Sequence, residues 1–214
     1  MVLQLYGSYF STCTRRVATV LHEKNVPFVL HHIDMAKGEQ KLPEFIEKQP
    51  FGQIPYIDDD GFILYESRAI CYYIAAKYAN QGTPLLPSDL KEHALFQQAA
   101  SIEAFNFNDH AEKAISEMVY KPFFGIEPDK AVFDGHIAKL SAQLEGYDRI
   151  LAKQKYLAGN EITLADLYHL PHATGLVKIG SDVMESKPNV ARWFKDISSR
   201  PSWQEVKDTV KSTA

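Results

Sequence analysis

The sequence predicts an α+β fold in two parts, a mixed domain of strands and helices over residues 1–80 and an all-helical domain over residues 90–214. In the first part, short apolar runs alternate with segments whose apolar residues recur at helical spacing. In the second part only long helical patterns occur, broken by proline and glycine. Residues 81–89, between the two parts, are rich in turn formers and have no periodicity, which is typical of a linker.

The pattern of the first domain reads strand, helix, strand, helix, strand, strand, helix. The strands are predicted at residues 2–6, 27–30, 54–57 and 62–64, and the helices over residues 12–24, 42–49 and 66–78. The Asp60-Gly61 pair between the last two strands predicts a hairpin turn. In the second domain, Thr163 and Asp166 have the spacing of a capping box, so we expect a helix to begin there.

Composition and charge exclude several functional classes. The chain has 23 basic and 27 acidic residues, a net charge of −4, which argues against a nucleic-acid partner. It contains no apolar run of about 18 residues, so we expect no membrane span. Cys13 and Cys71 are too few for a disulfide scaffold, and they predict a reducing compartment. The first charge after Met1 is Arg15, unlike a secretory signal, and we therefore expect a soluble cytoplasmic protein.

The segment from Gly7 to Cys13 joins the first strand to the first helix. Ser11 or Thr12 has the residue type that caps a helix N-terminus, and the same hydroxyl position also suits a bound thiolate, because a helix N-terminus attracts anions. Cys13 adds a third interpretation, a nucleophilic thiol whose pKa is lowered by the helix end, against that of a buried small residue. The residues alone leave these alternatives open.

Two further segments combine structural and functional interpretations. Pro55 directly follows Ile54 at the start of a strand, which is typical of an edge strand, whereas a cis bond there would expose the Ile54 backbone to an extended peptide ligand. Glu66 and Ser67 stand at the head of the third helix, where they either cap it or hold the ammonium and carboxylate groups of an amino-acid head group.

A metal site is not predicted. Asp166, His169 and His172 follow one another at a spacing of three, but Pro171 interrupts the run and Asp166 is already assigned to the capping box. A catalytic zinc site needs three protein ligands and supporting partners. A glycine-rich phosphate loop is also absent from the sequence.

These segments, taken together in their order along nearly the whole chain, resemble glutathione transferases of the phi class, the type found in plants and fungi. The matching motifs are Tyr6-Gly7 with Ser11-Thr12, Val26-Pro-Phe28, Lys37-Gly-Glu-Gln40, Gln49-Pro-Phe-Gly-Gln-Ile-Pro55, Glu66-Ser-Arg-Ala-Ile70, Lys121-Pro-Phe-Phe-Gly125, and Tyr156-Leu-Ala-Gly159 leading into Thr163-Leu-Ala-Asp-Leu167. The resemblance implies a thioredoxin-like N-terminal domain, an all-α C-terminal domain and a homodimer.

The resemblance also implies a set of site residues. Ser11 is then the catalytic hydroxyl, which donates a hydrogen bond to the sulfur of the co-substrate glutathione. The implied glutathione-binding residues are Ser11, Thr12, Gln40, Lys41, Gln53, Ile54, Pro55, Glu66 and Ser67, with Pro55 in the cis form. The candidates for the electrophile pocket, for which core packing is the alternative, are Phe10, Met35, Tyr120 and Phe124.

The implied activity is conjugation of glutathione to small hydrophobic electrophiles, a detoxification reaction, or reduction of organic hydroperoxides. The chain departs from the family pattern in two places: Ser8-Tyr9 replaces small or proline residues, and Gly175 replaces a large side chain, so substrate preference stays open. Two other hypotheses are a non-catalytic carrier of apolar ligands and a cysteine-type enzyme acting through Cys13. The retained Ser11, Glu66 and Ser67 argue against the carrier. The cysteine type places its cysteine where Ser11 stands here.

Overall fold

The computed structural model describes residues 2–214, which form two compact units. The first unit comprises the chain up to Leu86 together with Pro201–Ala214, and the second comprises Pro87–Arg200. The division after Leu86 lies inside the predicted linker. The sequence pattern assigned residues 201–214 to the helical domain, whereas the structure groups them with the sheet.

The order of the N-terminal elements is the one the pattern predicted. The strands are β1 (Leu3–Gly7), β2 (Phe28–His32), β3 (Tyr56–Asp59) and β4 (Phe62–Tyr65). The α-helices, in chain order, are α1 (Thr12–Glu23), α2 (Pro43–Ile46), α3 (Ser67–Lys77), α4 (Leu90–Ile102), α5 (Asp109–Ile115), α6 (Lys121–Phe123), α7 (Lys130–Leu151), α8 (Leu164–Leu167), α9 (Leu170–Lys178), α10 (Pro188–Ser198) and α11 (Pro201–Val206). A single 3₁₀ turn, Glu39–Lys41, precedes α2.

The four strands form one mixed sheet in the order β2-β1-β3-β4. β1 is parallel to β2 and antiparallel to β3, and Leu5 is the partner of both Leu30 and Ile57. The pattern predicted that the third strand begins at Ile54, whereas in the structure it begins at Tyr56. Pro55, which has no N–H to donate to a sheet, lies just outside the strand.

The core of the first unit lies between the sheet and its helices. α1 packs against α3, and Leu5, Val17, Ile57 and Ile70 are fully buried. The spacing of the apolar residues in both helices accounts for this, because residues three and four apart share one face.

The C-terminal residues join this core through contacts that no local pattern specifies. α11 packs against α1, with Trp203 and Val206 buried. The hydroxyl of Ser202 donates to the carboxylate of Glu23 near the end of α1. Helical periodicity predicts a buried face but not the element that covers it, which is why residues 201–214 were assigned to the helical domain.

The second unit is helical. Its longest helix, α7, packs against α5 and α10. The helical run from Leu90 to Phe123 contains two π-helical segments, Glu103–Asn108 and Ser116–Tyr120, between its α-helical parts. Thr163 caps α8 with Asp166 in the predicted capping box, which the structure confirms. No helix within residues 2–214 is both long enough and apolar enough to cross a bilayer.

Candidate functional site

Ser11 is the N-cap of α1. Its Oγ accepts a hydrogen bond from the Thr14 N–H at 3.3 Å, which confirms the capping interpretation. Thr12 follows as the first helical residue. The backbone at Gly7 lies close to the Thr14 side chain, since a Cβ on Gly7 would lie 2.5 Å from Thr14 Oγ1. Because the cap occupies a lone pair of the Ser11 oxygen, the O–H hydrogen is still available to donate.

Arg16 connects the second turn of α1 to the first residue of α3. The residue is 1% exposed, and its Nη1 donates to Ser67 Oγ at 2.9 Å. The same nitrogen, Nη1, lies 3.6 Å from the Sγ of Cys13, which is half-buried. Cys71 is also a free thiol but is fully buried, and burial raises its pKa to about 12. Cys71 is therefore a core residue, whereas Cys13 lies close to Ser11.

The loop before β3 is fixed by side chains from two directions. The buried Gln49 accepts the N–H of Gln53 at 3.1 Å, and Lys41 Nζ donates to Phe51 O at 3.2 Å. Gly52 is required here, because its φ is +60° and a Cβ would lie 2.8 Å from the Lys41 side chain. These contacts hold the segment that leads into Ile54.

Three polar groups of this region have no partner within residues 2–214. The amide oxygen of Gln40 is buried and accepts no hydrogen bond. The backbone N–H and C=O of Ile54 are likewise unpaired among the described residues. The Ile54–Pro55 peptide bond is cis, the isomer that the resemblance implied.

Glu66 and Ser67 differ in what they contact. Glu66 occupies the N-cap position of α3, but its side chain is exposed and makes no capping hydrogen bond, so the capping interpretation is wrong for Glu66. Its φ is +70°, which is unusual for a residue other than glycine, asparagine or aspartate. The buried hydroxyl of Ser67 accepts from Arg16.

All of the residues implied for glutathione lie in the first unit. The structure links Ser67 to α1, and Gln40 and Lys41 to the loop before Ile54. The electrophile candidates are divided: Phe10, 68% exposed, and the half-buried Met35 belong to the first unit, and the half-buried Tyr120 and the 62% exposed Phe124 to the second. Gly175 packs against Ile115, whose Cδ1 would lie 2.8 Å from an added Cβ.

Sequence reasoning missed Arg16 and Gln49. A signal was available for Arg16, since it lies four residues before Val20 on the apolar face of α1, where an arginine needs a buried partner. No comparable signal marks Gln49, because its role depends on the shape of the following loop.

Two of the three residues weighed as metal ligands, Asp166 and His169, make structural hydrogen bonds, and the third, His172, is buried. Asp166 Oδ1 accepts from the Leu157 N–H and from Trp193 Nε1. The ring nitrogens of His169 bond to Ala165 O at 2.8 Å and to the hydroxyl of Tyr147 at 3.0 Å. Residues 2–214 contain no group of three or more histidine, cysteine or acidic side chains placed to hold a metal ion.

Comparisons with known proteins identify the family. The glutathione S-transferase N-terminal domain profile matches residues 5–82, and the C-terminal domain profile matches residues 107–201. Glutathione S-transferase hmp2 of Hypomyces subiculosus is 44% identical over 100% of this chain and 99% of its own, and F12 of Arabidopsis thaliana is 38% identical over 96% and 97%. The crystal structure of glutathione transferase F7 from Populus trichocarpa is 42% identical, with a TM-score of 0.93 over 96% of this chain and 97% of that one. The chain belongs to the glutathione S-transferase family, in the phi class that its motifs indicated.

Proposed function

We propose that this chain activates glutathione as a thiolate at Ser11 and transfers it to small hydrophobic electrophiles. The observation that carries the proposal is the geometry of the α1 cap. The Ser11 oxygen accepts from Thr14, so its O–H points away from that bond and can donate to an incoming sulfur anion. Capping and thiolate stabilisation, which the sequence left as alternatives, are therefore compatible.

This arrangement can supply the free energy needed to lower the pKa of the glutathione thiol. A cysteine thiol has a pKa of about 8.5, and lowering it by about two units requires roughly 2.7 kcal/mol of preferential stabilisation of the thiolate. A hydrogen bond to a charged group contributes about 1.5–3 kcal/mol, and a helix N-terminus adds about 0.3–1 kcal/mol. Together they supply what the reaction needs at neutral pH.

The unpaired groups of the first unit match the remaining parts of the tripeptide. The free backbone N–H and C=O of Ile54, beside Gln53 and Pro55, would pair with the cysteinyl residue as a strand pairs with its neighbour. The exposed carboxylate of Glu66 and the first turn of α3 at Ser67 would hold the γ-glutamyl ammonium and carboxylate.

The opposite end of the tripeptide has a matching pair of groups. The Nε2–H of the Gln40 amide and the ammonium of Lys41 would donate to the glycyl carboxylate. Thr12, in the first turn of α1, completes the set. The tripeptide is then held at both ends, with its sulfur at Ser11.

The candidates for the electrophile stay those that the resemblance implies, Phe10, Met35, Tyr120 and Phe124, whose rings and thioether suit apolar substrates. Glutathione S-transferase I from maize, 33% identical to this chain, has been crystallised with an atrazine glutathione conjugate. We extend the proposal to reduction of organic hydroperoxides, which uses the same thiolate, and to a cytoplasmic homodimer without metal, membrane or nucleic-acid partners. The net charge of −4 supports the absence of a nucleic-acid partner, and the other parts of this extension rest on the resemblance to the phi class.

The test compares wild type, Ser11→Ala and Ser11→Asp in conjugation of glutathione to chlorodinitrobenzene across pH. Ser11→Ala removes both the cap and the donor, whereas Ser11→Asp keeps a capping oxygen without a donor and places a negative charge beside the sulfur. We expect both variants to lose about 100-fold or more in kcat, with little change in glutathione affinity for Ser11→Ala. Unchanged turnover in Ser11→Ala would contradict the serine mechanism.

Two other outcomes lead to the alternatives. Binding of glutathione without turnover by any of the three proteins would favour the carrier of apolar ligands. A glutathione mixed disulfide on Cys13, detected by mass spectrometry together with thiol-disulfide exchange activity, would favour the cysteine type.

A further inference from the structure

Residues 207–214, which we term the C-terminal strap, follow α11, and the last three of them lie along the outer edge of β2. The Phe28 carbonyl accepts the N–H of Thr213 at 3.0 Å, and the Phe28 N–H donates to Thr213 Oγ1 at 3.1 Å. The N–H of Leu30 donates to Ser212 Oγ at 2.9 Å. Two hydroxyl side chains thus take the place of strand carbonyls and cover an edge that would otherwise be open.

The strap also reaches the loop that precedes Ser11. The N–H of Val210, a fully buried residue, donates to Tyr9 O at 3.1 Å. Arg15 donates through Nη1 to Lys207 O at 2.7 Å and through Nη2 to Phe10 O at 3.0 Å. The guanidinium therefore joins the strap to the residue immediately before the cap.

This arrangement fixes the peptide plane that enters Ser11. The Phe10 carbonyl and the Ser11 N–H belong to that one plane. Arg15 holds the carbonyl, and the Ser11 N–H donates to Ser8 O at 3.2 Å, so the plane is held on both sides. The Ser11 side chain is then directed by its bond to Thr14.

We propose that the C-terminal strap and Arg15 are positioning elements for the Ser11 hydroxyl. The proposal rests on the proposed function, in which that hydroxyl stabilises the glutathione thiolate. A hydrogen-bond donor must lie within a few tenths of an ångström of its acceptor to be effective, and the strap supplies this precision from residues nearly 200 positions away in the sequence.

The first experiment loosens the strap without touching the site. Ser212→Ala/Thr213→Val removes both hydroxyls at nearly constant volume, and Lys211→Ala, an exposed residue of the same segment, is the control. We expect hydrogen exchange at the Leu30 amide to rise about ten-fold or more in the double variant only. We also expect the pKa of the enzyme-bound glutathione thiol, followed by thiolate absorbance, to rise by about half a unit or more.

The second experiment separates positioning from charge. Arg15→Lys keeps the positive charge but cannot bridge two carbonyls as the guanidinium does, and Arg15→Met removes both features. A positioning role predicts that both variants raise the pKa of the bound thiol and lower kcat while the KM for glutathione changes less than about two-fold. Wild-type behaviour of Arg15→Lys beside a defective Arg15→Met would assign the effect to charge and overturn the proposal.

The remaining outcomes are also decisive. Unchanged exchange at Leu30 in the double variant shows that the hydroxyls do not hold the strap, and faster exchange with an unchanged thiol pKa shows that the strap is structural only. Either result overturns the proposal. If Ser11→Ala alone leaves the pKa of the bound thiol unchanged, the proposed function itself fails. Hydrogen exchange at Leu30 does not depend on Ser11, so it distinguishes this failure from failure of the strap proposal.

Discussion

The buried guanidinium of Arg16 donates to Ser67 Oγ across 2.9 Å and so joins the helix that Ser11 caps to the helix that begins at Ser67. We predict that Arg16→Met lowers the free energy of unfolding by roughly 2–3 kcal/mol, because a charged hydrogen bond is lost and a buried hydroxyl loses its donor. Urea denaturation measures this. Arg149→Met, which removes an exposed arginine bonded only to a carbonyl in its own helix, is the control and should cost less than about 0.5 kcal/mol.

Glu66 combines a left-handed backbone with an exposed carboxylate, so we predict opposite effects on stability and binding. Glu66→Gly should raise the free energy of unfolding by about 1 kcal/mol, since glycine adopts φ of +70° without strain. It should also weaken glutathione binding about ten-fold, measured by calorimetry, because a charge partner is removed. Asp60→Gly is the matched control: this hairpin residue has φ of +58°, and its replacement should leave glutathione affinity unchanged.

Alanine substitution at two helical glycines of the second unit should change stability in opposite directions. Gly135→Ala, in α7, meets no atom within 4 Å and should stabilise the protein by about 0.5–1 kcal/mol through helix propensity. Gly175→Ala, in α9, brings its Cβ to 2.8 Å from Ile115 Cδ1. The net effect, with the gain in helix propensity included, should be a loss of about 1 kcal/mol in stability. Thermal unfolding of both variants tests the pair, and an equal gain in each would show that Ile115 moves aside freely.

Stability should fall as the pH is lowered toward mildly acidic values. Burial lowers the pKa of His136, and the neighbouring His110, Lys113 and Lys139 lower it further, against an opposing effect of Asp109. The unfolded chain then binds more protons than the folded one from about pH 6.5 down to the lowered folded pKa, so stability is lost across that window. We predict a smaller drop in the urea midpoint between about pH 7.5 and 5.5 for His136→Gln than for wild type. A drop of the same size in both proteins would assign the effect to other groups.

Most of the first unit's architecture follows from local pattern. Strand and helix order, the hairpin at Asp60-Gly61 and the capping box at Thr163 rest on residues close in sequence, and the structure confirms them. The placement of residues 201–214 was not predictable. It depends on contacts such as that between Arg15 and Lys207, which lie 192 positions apart and leave no periodic trace.

In the candidate site, too, some residues could be identified from local sequence and others only from the three-dimensional structure. Ser11 and Thr12 were both identified as hydroxyl residues at the start of a helix, and the resemblance to the phi class then implied Ser11. That the amide oxygen of Gln40 is buried without a partner could not be deduced from residue types. Whether a buried group has a partner depends on the three-dimensional course of the loop around it. Gln49 was missed for the same reason.

The π-helical segment Glu103–Asn108 has a consequence for changes in chain length. Ala99, Glu103, Phe107 and Ala111 are all buried at intervals of four residues, although an α-helix would rotate such a series by about 40° at every step. The wider π turns absorb that rotation, so the segment holds one residue more than an α-helix with the same buried face requires. A one-residue deletion there restores ordinary α-helical winding and keeps all later side chains on their neighbours. The same deletion within α7 would turn Leu140 or Leu144 away from the core, so we expect this π-helical segment to accommodate a one-residue deletion better than α7 does.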